Sequence, residues 1–347
     1  MIMEKNTSLK GKVGKDCVLI FLHIGKTAGS TLHRILEEQY SDTGHFFTVG
    51  GLENKDGKKF STLTRKERDK IGVIRGHLNF GVHELIEKPA VYITMLRDPV
   101  DRIISTYYYL KRDKGHYLHD ICRSDGWTLE DFVFYKPTEI MNGQTRVLAG
   151  VSDVYSFFKM GRESVPLGKC DDEILETAKR NLKKFAVVGL MERFDKTMIL
   201  LKRSLGWETP PLYIKQNVSN DRLRKKEVSG EIIQFIEEHN KLDIALYRYA
   251  TELFDEQIKQ QDSSFEVESK YFKMFNKTYQ EHHRLEFQVL QQEHQNLQQE
   301  YQKLLQTKAV VFANNLAKYP FLMKLASMGH SFAAKILSLL SGNKNVL

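Results

Sequence analysis

The sequence predicts an α/β fold: a central, mostly parallel sheet flanked by helices, with a helical extension at the C-terminus. Three observations lead there. Between Cys17 and about Gln257, short apolar runs alternate with stretches of helical periodicity, the rhythm of strand–helix–strand units. The apolar runs are near-continuous, as expected for strands covered on both faces. After Gln257 the composition turns rich in Gln, Glu and Lys, and from Tyr271 to Leu305 there is neither Gly nor Pro.

The strands expected are 17–23 (CVLIFLH), 71–76 (IGVIRG), 90–96 (AVYITML) and 185–190 (FAVVGL). Helices are expected over 30–40, 100–111, 128–136, 171–184, 193–205 and 229–255, and the polar stretch from Gly50 to Lys70 reads as exposed. The chain then divides into a flexible N-terminus (1–16), an α/β domain (17–257), a long helix (258–308) and a basic amphipathic helical tail (309–347). In the long helix Phe287, Leu290, His294, Leu297, Tyr301 and Leu304 recur at alternating spacings of three and four. That seam fits a short coiled coil, hence a homo-oligomer, or a helix packed back on its own domain. The tail carries Lys318, Lys324 and Lys335 among apolar residues and suits a membrane surface, its own domain or a neighbouring subunit.

The chain has 347 residues and a net charge of +8, which favours anionic partners such as a nucleotide or an acidic glycan. Nucleic acid is also anionic, but no nucleic-acid recognition motif is present. Three scattered cysteines (Cys17, Cys122, Cys170) give neither a disulfide framework nor a zinc spacing. No apolar run reaches signal-peptide or membrane-span length, so a non-exported, cytoplasmic chain is expected.

Two motifs carry chemistry. In HIGKTAGST (23–31) a strand runs into Gly25, Lys26, Thr27, Ala28, Gly29, Ser30 and Thr31. Glycines let backbone N–H groups converge on an anion, the following helix adds its N-terminal dipole, and Lys26 adds a full charge. A phosphate is the natural occupant, with the hydroxyls of Thr27, Ser30 and Thr31 as further donors. The spacing is not Walker A: GxxxxGK[ST] would need glycine where Ile20 stands inside the strand. In YITMLRDPVDRIISTYYYLKR (92–112), Arg97 sits at a strand's carboxyl edge, Asp98 suits an N-cap and Pro99 the first helical turn. Ser105 lies eight residues beyond Arg97, so the two reach one phosphate only if it lies along this helix. Two anion sites at the ends of two strands suit a nucleotide phosphorylated at two places.

With those residues in view, the chain resembles the carbohydrate sulfotransferases that use 3′-phosphoadenosine 5′-phosphosulfate, among them the heparan sulfate 2-O- and 6-O-sulfotransferases. FLHIGKTAGSTL matches the 5′-phosphosulfate loop and the Arg97–Ser105 segment the 3′-phosphate motif. GHLNFG (76–81) resembles the segment bearing the catalytic histidine. MNGQTRVLAG (141–150) and FAVVGLMERFDKTMILLKRSLGW (185–207) also look like family segments, and the resemblance spans about 17–255. It implies a P-loop-NTPase-like sulfotransferase fold and sulfuryl transfer by in-line displacement to an acceptor hydroxyl, on a glycan. The product is adenosine 3′,5′-bisphosphate, and no metal is needed. It further implies His77 as general base, Lys26 assisting the departing phosphate, and Arg97 and Ser105 on the 3′-phosphate. Lys215, Asn217 and Ser219 would come from a loop closing over the donor. His23 and His83 are alternative bases. The Golgi anchor of the animal enzymes has no counterpart here, which suggests a bacterial or cytoplasmic relative. The rival readings are a P-loop kinase or NTPase using Mg-ATP, and a non-enzymatic scaffold on the same fold.

Overall fold

The computed structural model describes residues 1–3, 9–41, 45–49, 63–115, 119–120, 126–135, 141–152, 169–215 and 222–317. Among these residues five strands, β1 (Val18–Leu22), β2 (His45–Val49), β3 (Ile71–Gly76), β4 (Ala90–Leu96) and β5 (Val187–Leu190), form one sheet in the order β2-β3-β1-β4-β5. Every neighbouring pair is parallel. The five side chains of β1 are fully buried, each worth roughly 1.5–3 kcal/mol on burial. The chain lays β2 and β3 on one side of β1 and then crosses to lay β4 and β5 on the other. The loops leaving β1 and β4 therefore part company, and the crevice outside their carboxyl ends is where open α/β sheets bind ligands.

The helices are α1 (Gly29–Gln39), α2 (Arg65–Arg68), α3 (Pro99–Arg112), α4 (Leu129–Tyr135), α5 (Gly143–Ala149), α6 (Asp172–Leu182), α7 (Phe194–Leu205), α8 (Gly230–His239), α9 (Lys241–Lys259) and α10 (Ser264–Ala317). α3 starts as its sequence requires: the Asp98 side chain accepts from Asp101 N–H at 3.0 Å, and Pro99 occupies the first turn. Around the sheet lies one hydrophobic cluster; a second joins α3, α4 and α8 through Ile103, Ile104, Phe132 and Ile236.

Four expected strands are present and a fifth, β2, was not anticipated. It is a five-residue edge strand in which, of the side chains described, Phe47 is buried and Thr48 exposed. α5 was also missed. The single helix expected over 229–255 is two, broken at Asn240. Its side-chain amide donates back to Ile236 O at 2.9 Å while its Oδ1 accepts from Asn142 N–H at 2.9 Å, which turns the chain there. At the N-terminus, expected to be loose, Leu9 and Val13 are buried and Met3 N–H bonds Ala90 O at 3.0 Å. Gly50 and 51–62 lie outside the described residues, as does the tail from 318 onward.

The chain forms two compact units, Met1–Gln280 and Glu281–Leu347. In the first, packing continues past residue 257: Phe265, Ser269, Phe272 and Asn276 of α10 are buried at spacings of four, three and four. Glu268 binds Lys202 and Arg203, and Asn276 Oδ1 accepts from Tyr213 N–H at 2.8 Å. In the second unit Phe287, Leu290, Leu297 and Tyr301 are exposed. No helix among the described residues is long and apolar enough to cross a membrane.

Candidate active site

The loop after β1 curls by alternating the sign of φ. Lys26 (φ 69°) and Ala28 (φ 64°) are left-handed, whereas Gly25, Thr27 and Gly29 are not. Such alternation turns successive backbone N–H groups toward a common centre and makes an anion-binding concavity. The left-handed positions thus fall on Lys26 and Ala28 instead of on the expected glycines, and non-glycine residues there carry strain. Gly29 is required for another reason: a Cβ on it would lie 1.8 Å from His23 Nε2. α1 begins directly after Ala28, which offers no side-chain cap. α3, in contrast, is capped by Asp98. Thr27 is fully buried and donates its hydroxyl proton to Ile24 O at 2.8 Å, so that proton is not available to a ligand as expected. Ser30 is exposed on the first turn of α1, and Thr31 is buried.

Arg97 leaves the end of β4 with only 5% of its surface exposed. The Gln144 side chain of α5 clasps its backbone, accepting from Arg97 N–H at 3.1 Å and donating to Arg97 O at 3.0 Å. α5 is itself held by Asp243, 0% exposed, whose carboxylate accepts from Gln144 N–H (3.2 Å), Thr145 N–H (2.8 Å) and Thr145 Oγ1 (2.8 Å). The guanidinium donates through Nη1 to Lys26 O at 3.1 Å, tying the two motifs together. Its Nε is buried without a hydrogen-bond partner. An orphaned buried donor beside a backbone concavity fits an anionic ligand.

Cations crowd this crevice. Burial, with Arg112, Arg97 and Arg222 nearby, brings the Lys26 ammonium down to about 8, and burial with Arg222 brings Arg97 down to about 10. Lys26 Nζ lies 4.0 Å over the Tyr109 ring of α3. Ser105, half-buried, precedes Tyr109 by one helical turn, so it shares the face of α3 that meets Lys26. Arg222 is held in place by Asp101, one turn before Ser105, at 3.0 Å. Lys215 is exposed; Asn217 and Ser219 lie outside the described residues.

His77 follows β3, partly exposed at the same edge. Its Nδ1 meets His23 O at 3.0 Å; a carbonyl only accepts, so Nδ1 carries the proton and Nε2 is the basic nitrogen of the neutral ring. Burial, assisted by Lys26, pushes its pKa down against the bond to His23, which keeps the ring neutral near pH 7. The His23 ring stacks on it at 4.4 Å. His83 bonds Tyr92 OH at 3.0 Å, near the opposite, amino end of β4. Among the described residues no group of His, Cys, Asp or Glu is arranged to hold a metal ion.

The family model for galactose-3-O-sulfotransferase matches residues 10–318. The chain belongs to that family. This sulfotransferase is 28% identical over 298 residues to human heparan-sulfate 6-O-sulfotransferase 1, covering 74% of this chain and 70% of that one. It is 29% identical over 280 residues to the chicken enzyme (68% and 65%), and 28% over 282 residues to mouse heparan-sulfate 6-O-sulfotransferase 3 (70% and 58%). A crystal structure of mouse sulfotransferase SULT7A1 complexed with PAP aligns with a TM-score of 0.36 at 14% identity, over 71% of this chain and 94% of that one.

The carboxyl edge of the sheet brings Lys26, His77 and Arg97 together. Sequence reasoning missed the clasp by Gln144 and Asp243, although MNGQTRVLAG was singled out without a role. It also missed Arg222, whose signal was a cation-rich stretch (Arg222, Arg224, Lys225, Lys226) just after the expected donor loop.

Proposed function

We propose that His77 is the general base of a sulfuryl transfer to a sugar hydroxyl, with the donor held by the loop 25–31, Arg97, Ser105 and Arg222. The chain is a 3′-phosphoadenosine 5′-phosphosulfate-dependent sulfotransferase acting on carbohydrate. The family description names galactose O-3 and the relatives' names heparan sulfate O-6; what they share, a sugar hydroxyl, is the acceptor class assigned. Bound in the crevice, the donor supplies an activated sulfuryl group whose leaving group is a phosphate. The concavity of the loop and the orphaned Arg97 Nε fit its phosphates. Lys26 and Arg97 stabilise negative charge in a site preorganised for it. Ser105 and Arg222 add a donor and a charge on the α3 side, and Lys215, Asn217 and Ser219 complete the assignment as the closing loop. His77 Nε2 takes the acceptor's proton as the hydroxyl oxygen attacks.

The observation that carries this reading is the pairing of a neutral His77, its proton held on Nδ1 by His23 O, with a cation-rich crevice on the other flank of β1. A kinase using Mg-ATP shares the anion loop. The decisive experiment is thermal shift with adenosine 3′,5′-bisphosphate without magnesium against Mg-ATP. Stabilisation by the bisphosphate alone is expected, and stabilisation by Mg-ATP alone would overturn the reading. The exposed seam on α10 (Phe287, Leu290, Leu297, Tyr301) supports self-association, and sedimentation of the full chain beside one truncated at Gln280 tests it.

A further inference from the structure

Behind the base stands a row of imidazoles that general-base chemistry does not itself require. The ring of His23 stacks on His77 with centroids 4.4 Å apart and planes 23° from parallel. His23 Nδ1 lies 3.1 Å from His33 Nε2, so one of those nitrogens donates to the other. The Nε2 edge of His23 abuts the α1 backbone at Gly29, where only the missing Cβ leaves room. Phe21 also stacks on His23, at 5.5 Å. His33 is tied down in turn: its carbonyl accepts from Arg75 Nη1 at 2.7 Å, and Arg75 also pairs with Glu37 one turn further along α1 and donates to Thr48 Oγ1 at 3.1 Å.

We infer that His33 and His23 are positioning residues for the base: His33 fixes the ring of His23, and His23 fixes both the plane and the tautomer of His77. The inference rests on the reading of His77 as base. It deepens that reading by coupling base and donor loop through α1, which grows out of the loop and carries His33 five residues in. The charged groups facing this row are Lys26 from the loop, Arg75 from β3 and Glu37 from α1. Hydrogen-bond partners that orient metal-bound histidines cost roughly 10- to 100-fold when lost, and by analogy a loss of that order in kcat is expected for His33→Leu. Binding of adenosine 3′,5′-bisphosphate should stay within about twofold, because the anion loop's own contacts are left in place. His33→Gln, whose amide can still meet His23 Nδ1, should recover most of kcat and the wild-type pH profile of kcat.

The experiment measures kcat, its pH profile and bisphosphate affinity for His33→Leu, His33→Gln and His77→Ala. If His77→Ala retains transfer, the base assignment fails. If His77→Ala abolishes transfer while His33→Leu matches wild type, the base stands and the positioning role fails. An equal loss of bisphosphate affinity in His33→Leu, or no recovery in His33→Gln, also overturns it. Should His33→Leu not fold, ¹⁵N-histidine spectra of the wild type decide. Single, neutral tautomers for His23 and His33 at pH 7 are expected, and a His33 ring averaging between tautomers overturns the inference.

Discussion

The two flanks of β1 at its carboxyl edge are made of opposite materials. On the β3 side, His77, His23 and His33 are neutral rings held by hydrogen bonds and stacking, with pKa values pushed down first by burial. On the β4 side, Lys26, Arg97 and Arg222 crowd one another, and Asp101 partners Arg222. One flank can accept a proton because its imidazoles are neutral; the other can hold an anion because cations crowd there. Lys26 is the residue that touches both, since it lowers the pKa of His77 while lying over Tyr109 on the opposite flank.

The sharpest way to break the comparison is to remove the base. His77→Ala should lower kcat by roughly 10²–10⁴-fold, the usual share of general-base catalysis. Its affinity for adenosine 3′,5′-bisphosphate, read by calorimetry, should stay near wild type. A matching loss of affinity would mean that the flanks do not divide the labour. The reciprocal change is Arg97→Gln. A charge-assisted phosphate contact is worth about 1.5–3 kcal/mol, so bisphosphate binding should weaken by that amount. The acid limb of the pH profile of kcat, set by His77, should not move, because the imidazole flank is untouched.

The extent to which this was legible in the sequence differs between the flanks. The strands β1, β3, β4 and β5 announce themselves as continuous apolar runs, and each places its first following residues at the crevice. Lys26, His77 and Arg97 could therefore be put at one edge from their spacing after those strands. The supports could not. Gln144 reaches Arg97 across 47 residues from the short, unanticipated α5. Asp243, on a helix that was expected, reaches Gln144 across 99, and no local spacing encodes either pairing. His23 and His33 are ten residues apart on a strand end and a helix, and only the tight turn through Gly29 folds one ring onto the other. The left-handed Lys26 and Ala28 show the same limit: glycine marks the loop in the sequence, yet packing decides which residues take the unusual backbone.

Gly29→Ala probes that packing. The added methyl meets the His23 ring, and overpacking of this kind costs about 1–3 kcal/mol in stability. Chemical denaturation should show the loss, and transfer should slow as His23 is pushed against His77. In the double variant with His23→Ala, the methyl gains space and the two costs should fall short of adding. Strict additivity would show that the clash is not what Gly29 avoids.

The smallest effect is a slope, and it isolates one ring. An unfolded histidine titrates near pH 6.5, whereas burial beside Arg75 holds native His33 down to about 3. Between those values the unfolded state binds a proton that the native state refuses. Stability therefore falls as pH falls, by up to about 1.4 kcal/mol per pH unit for this ring. His23 and His77 act in the same direction. His33→Gln removes one titrating group from the unfolded chain and leaves the other two, so its stability between pH 6 and pH 4 should decline less steeply than wild type by up to that amount. Urea midpoints across this range measure the difference. Parallel slopes would mean that His33 takes its proton in the native state, and a charged His33 beside Arg75 would leave the β3 flank no longer a row of neutral rings.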